Sequence, residues 1–313
     1  MKENSDLDFF KNNWIKITCG ACLTKIAYEI ALRSTNDRKI QAKIIRETFN
    51  ILSEMSKNSF TTELSNQIIE KIEKITGIED PYKQEKEISN KILLDLEPQM
   101  LSLINKYNDG LERFYKILLL TIFGNVVDFA TGDHEFELTK EGLTEIMNSV
   151  LNLKPVIDDS NKLFEFISEG NKKIMYIVDN AGEIVCDKIL INELVRYRNK
   201  VSVIVRNKPL VNDAMRHDAV FVSLTEIKDV KIVEADRFCL GFLYNRITKE
   251  FEKELKTTDI IISKGQNNFE TLIRYKDRFK GKKIFFLLKL KCRPLAEFIG
   301  VNKNDQIIKL FSP

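Results

Sequence analysis

Apolar residues in the first half of the chain return every three or four positions. Ile26, Ile30 and Leu32 form one such set, and Ile44, Ile45, Phe49 and Leu52 a second. Ile68, Ile69, Ile72 and Ile75 form a third, and Leu111, Phe114, Tyr115 and Leu118 a fourth. That spacing gathers each set on one face of a helix, so residues 1–150 predict a helical domain. Thr76-Gly77 and Asp80-Pro81 punctuate it. Beyond about residue 170 the pattern becomes short β-rich apolar runs separated by helical stretches. Strands are expected at 173–178, 201–205, 259–263 and 283–288, with a weaker one at 219–222. Helices are expected over 183–198 and near 211–217. Runs that are apolar throughout and alternate with helices indicate a parallel sheet covered on both faces, so residues 151–313 predict an α/β core.

The polar residues fall at the ends of these runs. The first leads into Asp179-Asn180-Ala181-Gly182-Glu183 and the second into Arg206-Asn207-Lys208-Pro209-Leu210-Val211-Asn212-Asp213. The 259–263 run leads into Lys264-Gly265-Gln266-Asn267-Asn268. In an open parallel sheet the strand C-termini share one edge, where ligands bind, so the three loops are expected to converge. Asp179, Asn180 and Asp213 offer hard oxygen donors with no His or Cys among them, a set suited to Mg²⁺ or Mn²⁺ rather than zinc. Both Asp179 and Asn180 can face one ion only if the backbone turns, and Gly182 eases that turn. Lys264, Arg206 and the start of helix 183–198 add positive potential suited to a phosphate. The same residues also serve as ordinary turns and helix caps: Asp-Asn after a strand, Asn212-Asp213 before a short helix, Lys264-Gly265 at a surface.

Composition narrows the field. With 43% hydrophobic and 30% charged residues the chain reads as a folded globular protein. Forty-nine basic residues against 46 acidic ones leave +3, too little and too evenly spread to argue for a nucleic-acid or membrane surface. The longest apolar stretch, 117–129, is interrupted by Gly124, Asn125 and Asp128 and falls short of the roughly 20 residues of a bilayer span. A polar, acidic N-terminus and an odd count of five cysteines point to a reducing, cytoplasmic location. Cys19-x-x-Cys22, with Cys292 as a third member, is a candidate for a structural metal or redox site, although structural zinc normally takes four ligands.

Three segments, VDNAGEIVCDKILINEL, NKPLVNDA and IISKGQNNFETL, resemble the core motifs of the DUF89 family, also called damage-control phosphatases or ARMT1-like proteins. Asp80-Pro81-Tyr82 with Lys86 and Asn90, Gly124-Asn125-Val126-Val127-Asp128, and LLKLKCRPLAEFIGV extend the resemblance over nearly the whole chain, in the order of its compact archaeal and bacterial branch. The resemblance implies a Rossmann-like three-layer α/β/α core with a mostly parallel sheet behind an N-terminal helical region. It also implies a divalent-metal-dependent phosphatase (Mg²⁺, Mn²⁺, Co²⁺ or Ni²⁺) acting on sugar phosphates or damaged phosphometabolites. By the same resemblance Asp179, Asn180 and Asp213 hold the metal. Asn125 and Asp128 lie beside it, and Lys264 and Asn268 lie at the phosphate. Two departures stand out. Asn267 occupies the place of a second glycine in the Lys-Gly loop, and Arg206-Asn207-Lys208 replaces a glycine-richer link.

The expected reaction is phosphoester hydrolysis, with water or Asp179 as nucleophile and Asp128 or Asp213 orienting the water. Two rival readings are a carboxyl methyltransferase using S-adenosylmethionine and a non-enzymatic phosphometabolite-binding protein. The single glycine of the first loop, Gly182, argues against the methyltransferase, because it offers no glycine-rich dinucleotide-type turn. The periodicity leaves the oligomeric state undecided.

Overall fold

The structure is a computed structural model that describes residues 16–56, 59–126, 140–235 and 248–313. By internal contacts the chain divides into two units, residues 1–82 with 292–300, and residues 83–291 with 301–313.

The first unit holds helices α1 (Ile17–Ser34), α2 (Arg38–Ser53) and α3 (Thr61–Thr76), plus one helix from near the C-terminus. These are the helices that the apolar periodicity predicts. Asp37 caps α2 by accepting from the amides of Lys39 at 2.7 Å and Ile40 at 3.4 Å, as a short acceptor side chain does at an N-terminus. Gly77 ends α3 in the left-handed conformation at φ 72°. Leu23, Ala27, Ile30, Ile44, Leu64, Ile68 and Ile72 are buried.

The second unit opens with helices α4 (Lys83–Ile104), α5 (Leu111–Val126) and α6 (Lys140–Leu151). There follow β1 (Ile157–Asp158), α7 (Ser160–Ser168), β2 (Lys173–Ile177), α8 (Glu183–Arg196), β3 (Lys200–Arg206), α9 (Arg216–Phe221) and β4 (Val230–Ala235). Then come α10 (Lys249–Thr257), β5 (Ile260–Lys264), α11 (Gln266–Arg274) and β6 (Lys283–Lys289). After β6 the chain contributes α12 (Arg293–Ile299) to the first unit and returns as β7 (Gln306–Phe311).

The sheet order is β1-β7-β6-β5-β2-β3-β4. Strands β6, β5, β2, β3 and β4 run parallel, and β7 is antiparallel to β6. The expected α/β core with a mostly parallel sheet is therefore present. From β2 the chain winds outward through β3 to β4, and β5 and β6 fill the other side. The order reverses between β2 and β5, and the crevice at the carboxyl ends of those two strands is where such sheets bind ligands.

Secondary structure changes character near residue 150, but contacts divide the chain after Tyr82. The reason is burial. Leu93, Met100, Phe114, Ile117, Leu118, Phe123 and Met147, from α4 to α6, share one apolar core with Ile174, Tyr176, Val203, Ile262 and Phe285 of the sheet. The apolar stretch beginning at Ile117 is thus core, and among the described residues no helix is long and apolar enough to cross a membrane. Residues 219–222, expected as a strand, belong instead to the end of α9 and the residue after it. A four-residue apolar run does not distinguish a strand from a buried helical turn. The strand beside β3 is β4, in sequence VKIVEA, whose apolar run is broken by Lys231 and Glu234.

Candidate active site

The loops after β2 and β3 are laced together by main-chain bonds. The amide of Ala214 donates to the Asp179 carbonyl at 2.8 Å, and that of Ala181 donates to the Asn212 carbonyl at 2.9 Å. These two bonds flank an antiparallel bridge between Asn180 and Asp213. In this arrangement the opposed residues do not bond to each other, their Cα atoms approach to about 4.5 Å, and their side chains lie close on one face. Asn180 and Asp213 are both 5% exposed, and Asp179 is half-buried.

Gly265 closes the site from the β5 side. Its φ is +83°, and a Cβ there would meet the Asp179 carboxylate at 2.2 to 2.7 Å. Glycine is therefore required both by backbone angle and by the approach of Asp179. Gly182, at φ +76°, packs so tightly on Ser89 of α4 that a Cβ would come within 2.9 Å of it. The Gly182 amide donates to Asn90 Oδ1 at 2.6 Å, and Asn90 Nδ2 donates to Asp218 of α9 at 2.6 Å. Asn90 thus pins the turn after β2, while Lys86 lies buried with Nζ 3.7 Å from Met215 Sδ.

Buried polar chains support both sides of the bridge. Arg206, 4% exposed, donates from Nε to Asp213 Oδ2 at 2.7 Å and from a terminal nitrogen to Asn268 Oδ1 at 2.8 Å. Asn268 Nδ2 donates to the carbonyls of Val178 and Lys264 at 3.1 and 2.8 Å. On the other side, Asn180 Nδ2 donates to Asp179 Oδ2 at 3.0 Å and to Glu183 Oε2 at 3.2 Å. Lys264 is fully buried; its ammonium donates to Glu183 Oε1, to Asp187 Oδ1 at 3.0 Å and to the Thr121 carbonyl at 3.0 Å. Tyr176 donates its hydroxyl to Asp187 Oδ1 at 2.7 Å.

The electrostatics follow from that burial. Loss of solvent alone disfavours the charged lysine, but Asp187 and Glu183 outweigh it and hold the Lys264 ammonium above its ordinary range. Burial raises the Asp187 carboxyl to about 6, with Lys264 pulling the other way. Burial first, and then the Asp187 charge, raises the Tyr176 phenol well above its usual value.

The anticipated residues are placed as follows. Asp179, Asn180, Asp213, Arg206, Lys264 and Asn268 gather around the crevice between β2 and β5. Arg206, Lys264 and Asn268 do so as buried groups bonded to other protein groups, not as open loop side chains. Asn125 is in the last turn of α5, which reaches the site because a Cβ at Gly124 would touch Glu183 at 3.0 Å. Asp128 lies outside the described residues. Asn267 is exposed in the first turn of α11 and has no positive φ, so that position demands no glycine. The first amides of α8 are largely engaged within the chain: Ile184 donates to the Asn180 carbonyl at 3.3 Å and Val185 to the Gly182 carbonyl at 3.0 Å.

Cys19 is buried in the first turn of α1, where its sulfur accepts from the Lys16 amide at 3.4 Å. Cys22 is exposed, and Cys292 is half-buried at the N-cap of α12. Among the described residues no group of three or more His, Cys, Asp or Glu side chains is arranged to hold a metal. Residue typing missed Glu183, Asp187 and Tyr176. Their signal was a pair of acids four apart in a helix whose inner face is otherwise apolar, following a strand with one tyrosine.

A doubly wound sheet with carboxylates and amides gathered at its switch point defines the class: an α/β protein of the kind that binds ligands at its strand C-termini. The sequence profile of the damage-control phosphatase ARMT1-like domain matches residues 15–307, and the chain belongs to that family. It is 34% identical to an uncharacterized protein of Methanocaldococcus jannaschii, over 94% of each chain. It is 30% identical to a damage-control phosphatase of Pyrococcus horikoshii, covering 93% of this chain and 96% of that one. A damage-control phosphatase of Archaeoglobus fulgidus is 29% identical over 93% and 97% of the two chains. The crystal structure of a DUF89 family protein from Pyrococcus horikoshii superposes with a TM-score of 0.82, covering 94% of this chain and 98% of that one at 28% identity. The chain is accordingly an enzyme of the phosphatase class, and these relatives do not favour the methyltransferase reading.

Proposed function

We propose that the enzyme hydrolyses phosphate monoesters of small metabolites, with a divalent cation held by Asp179, Asn180 and Asp213. The observation that carries this reading is the bridge that sets Asn180 opposite Asp213, next to the carboxylate of Asp179. The donor set fits a hard cation: two carboxylates and one amide oxygen, without nitrogen or sulfur, favouring Mg²⁺ or Mn²⁺ and admitting Co²⁺ or Ni²⁺. When bound, such a cation supplies Lewis acidity toward a phosphoryl oxygen.

The chain's own groups supply the rest. The half-buried Asp179 carboxylate is the group a ligand reaches from the crevice, and water is the favoured nucleophile over Asp179 itself. Asp213, fixed by Arg206, and Asp128 from the family motif are the candidates to orient that water, with Asn125 at the substrate. Lys264 and Arg206 lie near the place a phosphate would take, but their hydrogens hold Glu183, Asp187 and Asp213, and those carboxylates offset their charge. Cytoplasmic location is proposed from cysteine usage, since none of the four described cysteines forms a disulfide.

The test is hydrolysis of an aryl phosphate, then of a panel of sugar phosphates and phosphorylated cofactors, by metal-stripped enzyme supplied with each of the four ions. Asp179→Ala and Asp213→Ala are expected to lose both metal binding and turnover. Wild-type rates from Asp179→Ala with added Mn²⁺ would overturn the assignment.

A further inference from the structure

A side-chain amide can present either its oxygen or its NH₂ group to a given point, and only the oxygen ligates a cation. At Asn180 the choice is made by chemistry. The group's nitrogen faces Asp179 Oδ2 at 3.0 Å and Glu183 Oε2 at 3.2 Å. Ionised carboxylates only accept hydrogen bonds, so NH₂ must point at them. Glu183 is held in turn by the ammonium of Lys264, which can only donate. Lys264 is held by Asp187 and the Thr121 carbonyl, and Asp187 by the Tyr176 hydroxyl. Asn180 and Lys264 both donate to Glu183, and Lys264 and Tyr176 both donate to Asp187, so no bond in this chain can be reversed, and all its members beyond Asn180 are at most 2% exposed. Water therefore offers no substitute partner.

We infer that Glu183 is a positioning residue that fixes the Asn180 amide with its oxygen available to a cation, and that Lys264, Asp187 and Tyr176 fix Glu183. This rests on the reading of Asp179, Asn180 and Asp213 as metal ligands, and it gives Lys264 a different task from contact with phosphate.

The inference makes an unusual demand of Glu183→Gln, which swaps one oxygen for an NH₂ group. Lys264 still requires an acceptor, so the new amide must give it its oxygen and turn its own NH₂ toward Asn180. Asn180 must then rotate to accept, and its NH₂ takes the place its oxygen held. Mn²⁺ titrated calorimetrically into metal-stripped enzyme should bind E183Q about tenfold or more weakly than wild type, while circular dichroism without metal keeps the wild-type form and the melting temperature falls, because buried Lys264 loses one of its two charge partners. Adding Asn180→Asp should reverse part of the loss, because a carboxylate at position 180 accepts from the new amide at position 183 and still offers an oxygen. The double variant N180D/E183Q should bind Mn²⁺ about fivefold or more tightly than E183Q. Asn180→Asp alone, facing Glu183 and Asp179, should bind more weakly than wild type. A purely structural role for Glu183 predicts no such rescue.

Wild-type affinity in E183Q, or a double variant no tighter than E183Q, would overturn the inference. Should E183Q not fold, Tyr176→Phe carries the test: it removes one hydroxyl from the far end of the chain and should weaken Mn²⁺ binding about threefold, unchanged affinity counting against the inference. Absence of Mn²⁺ binding and of turnover in the wild type would instead overturn the phosphatase site itself.

Discussion

At Gly265 one hydrogen atom separates an open approach to the Asp179 carboxylate from a blocked one. Alanine there would put a methyl group into the Asp179 carboxylate and force an L-residue to φ +83°. Gly265→Ala is expected to lose at least about 2 kcal/mol of stability and all measurable phosphatase activity, read by denaturant unfolding and aryl phosphate turnover. Asn267, two residues on, should accept glycine with no loss of activity, because its backbone is already helical. The cysteines separate just as sharply. Cys186 is fully buried, and burial followed by the Asp187 charge pushes its thiol well up. Iodoacetamide on the folded protein should therefore modify exposed Cys22 and spare Cys186 until denaturant is added, as peptide mass mapping would reveal. Residue chemistry named the hard-oxygen set as a candidate, because donor type is written in the letters. It could not tell that Lys264 and Arg206 are buried and bonded to protein groups, because burial and hydrogen-bond partners are not. A lysine after a strand looks the same in sequence whether it faces solvent or two buried acids.

The strands that could be read from sequence are those buried on both faces. KIMYI, KVSVIVR, IIISK and KIFFLLK are continuous apolar runs, and each lies in the interior of the sheet. Those missed are near or at the edges: β4 carries Lys231 and Glu234, β1 has two residues, and β7 is half-exposed. Edge strands need only one covered face, so their apolar signal is diluted. The edge beside β3 and β4 gains an electrostatic clasp from α10. Glu254 accepts from Ser202 at 2.7 Å and from Lys231 at 3.0 Å. Partial burial raises this carboxyl, but the two donors outweigh that effect and hold it below its ordinary 4.5. A depressed folded value means the clasp stabilises above the unfolded value and is lost as pH falls through the folded one. The melting temperature of Glu254→Gln should accordingly lie below wild type near neutrality and converge with it as pH drops well below 4.5. Between β3 and α9, Val211 sits at φ +45°, a costly place for a β-branched residue. Val211→Asn should relieve about 1 kcal/mol of that strain, visible as a higher denaturation midpoint.

The whole chain couples site and stability through mass action. A cation that binds only the folded protein stabilises it by about 2.7 kcal/mol at a hundred times its dissociation constant. Mn²⁺ should therefore raise the melting temperature of wild type, chelator should reverse it, and Asp213→Ala should show no shift. The division into units adds a constraint of a different kind. The first unit takes α12 from residues 292–300, and the second takes β7, seated between β1 and β6, from residues 306–311. Synthesis runs from the N-terminus, and domains generally complete themselves in that order. Here neither can. The helices made first wait for α12 and the sheet waits for β7, and both are made after nearly everything else in their units. A nascent chain stalled at residue 291 would hold two unfinished units at once, so residues 292–311 are the stretch on which both units close together.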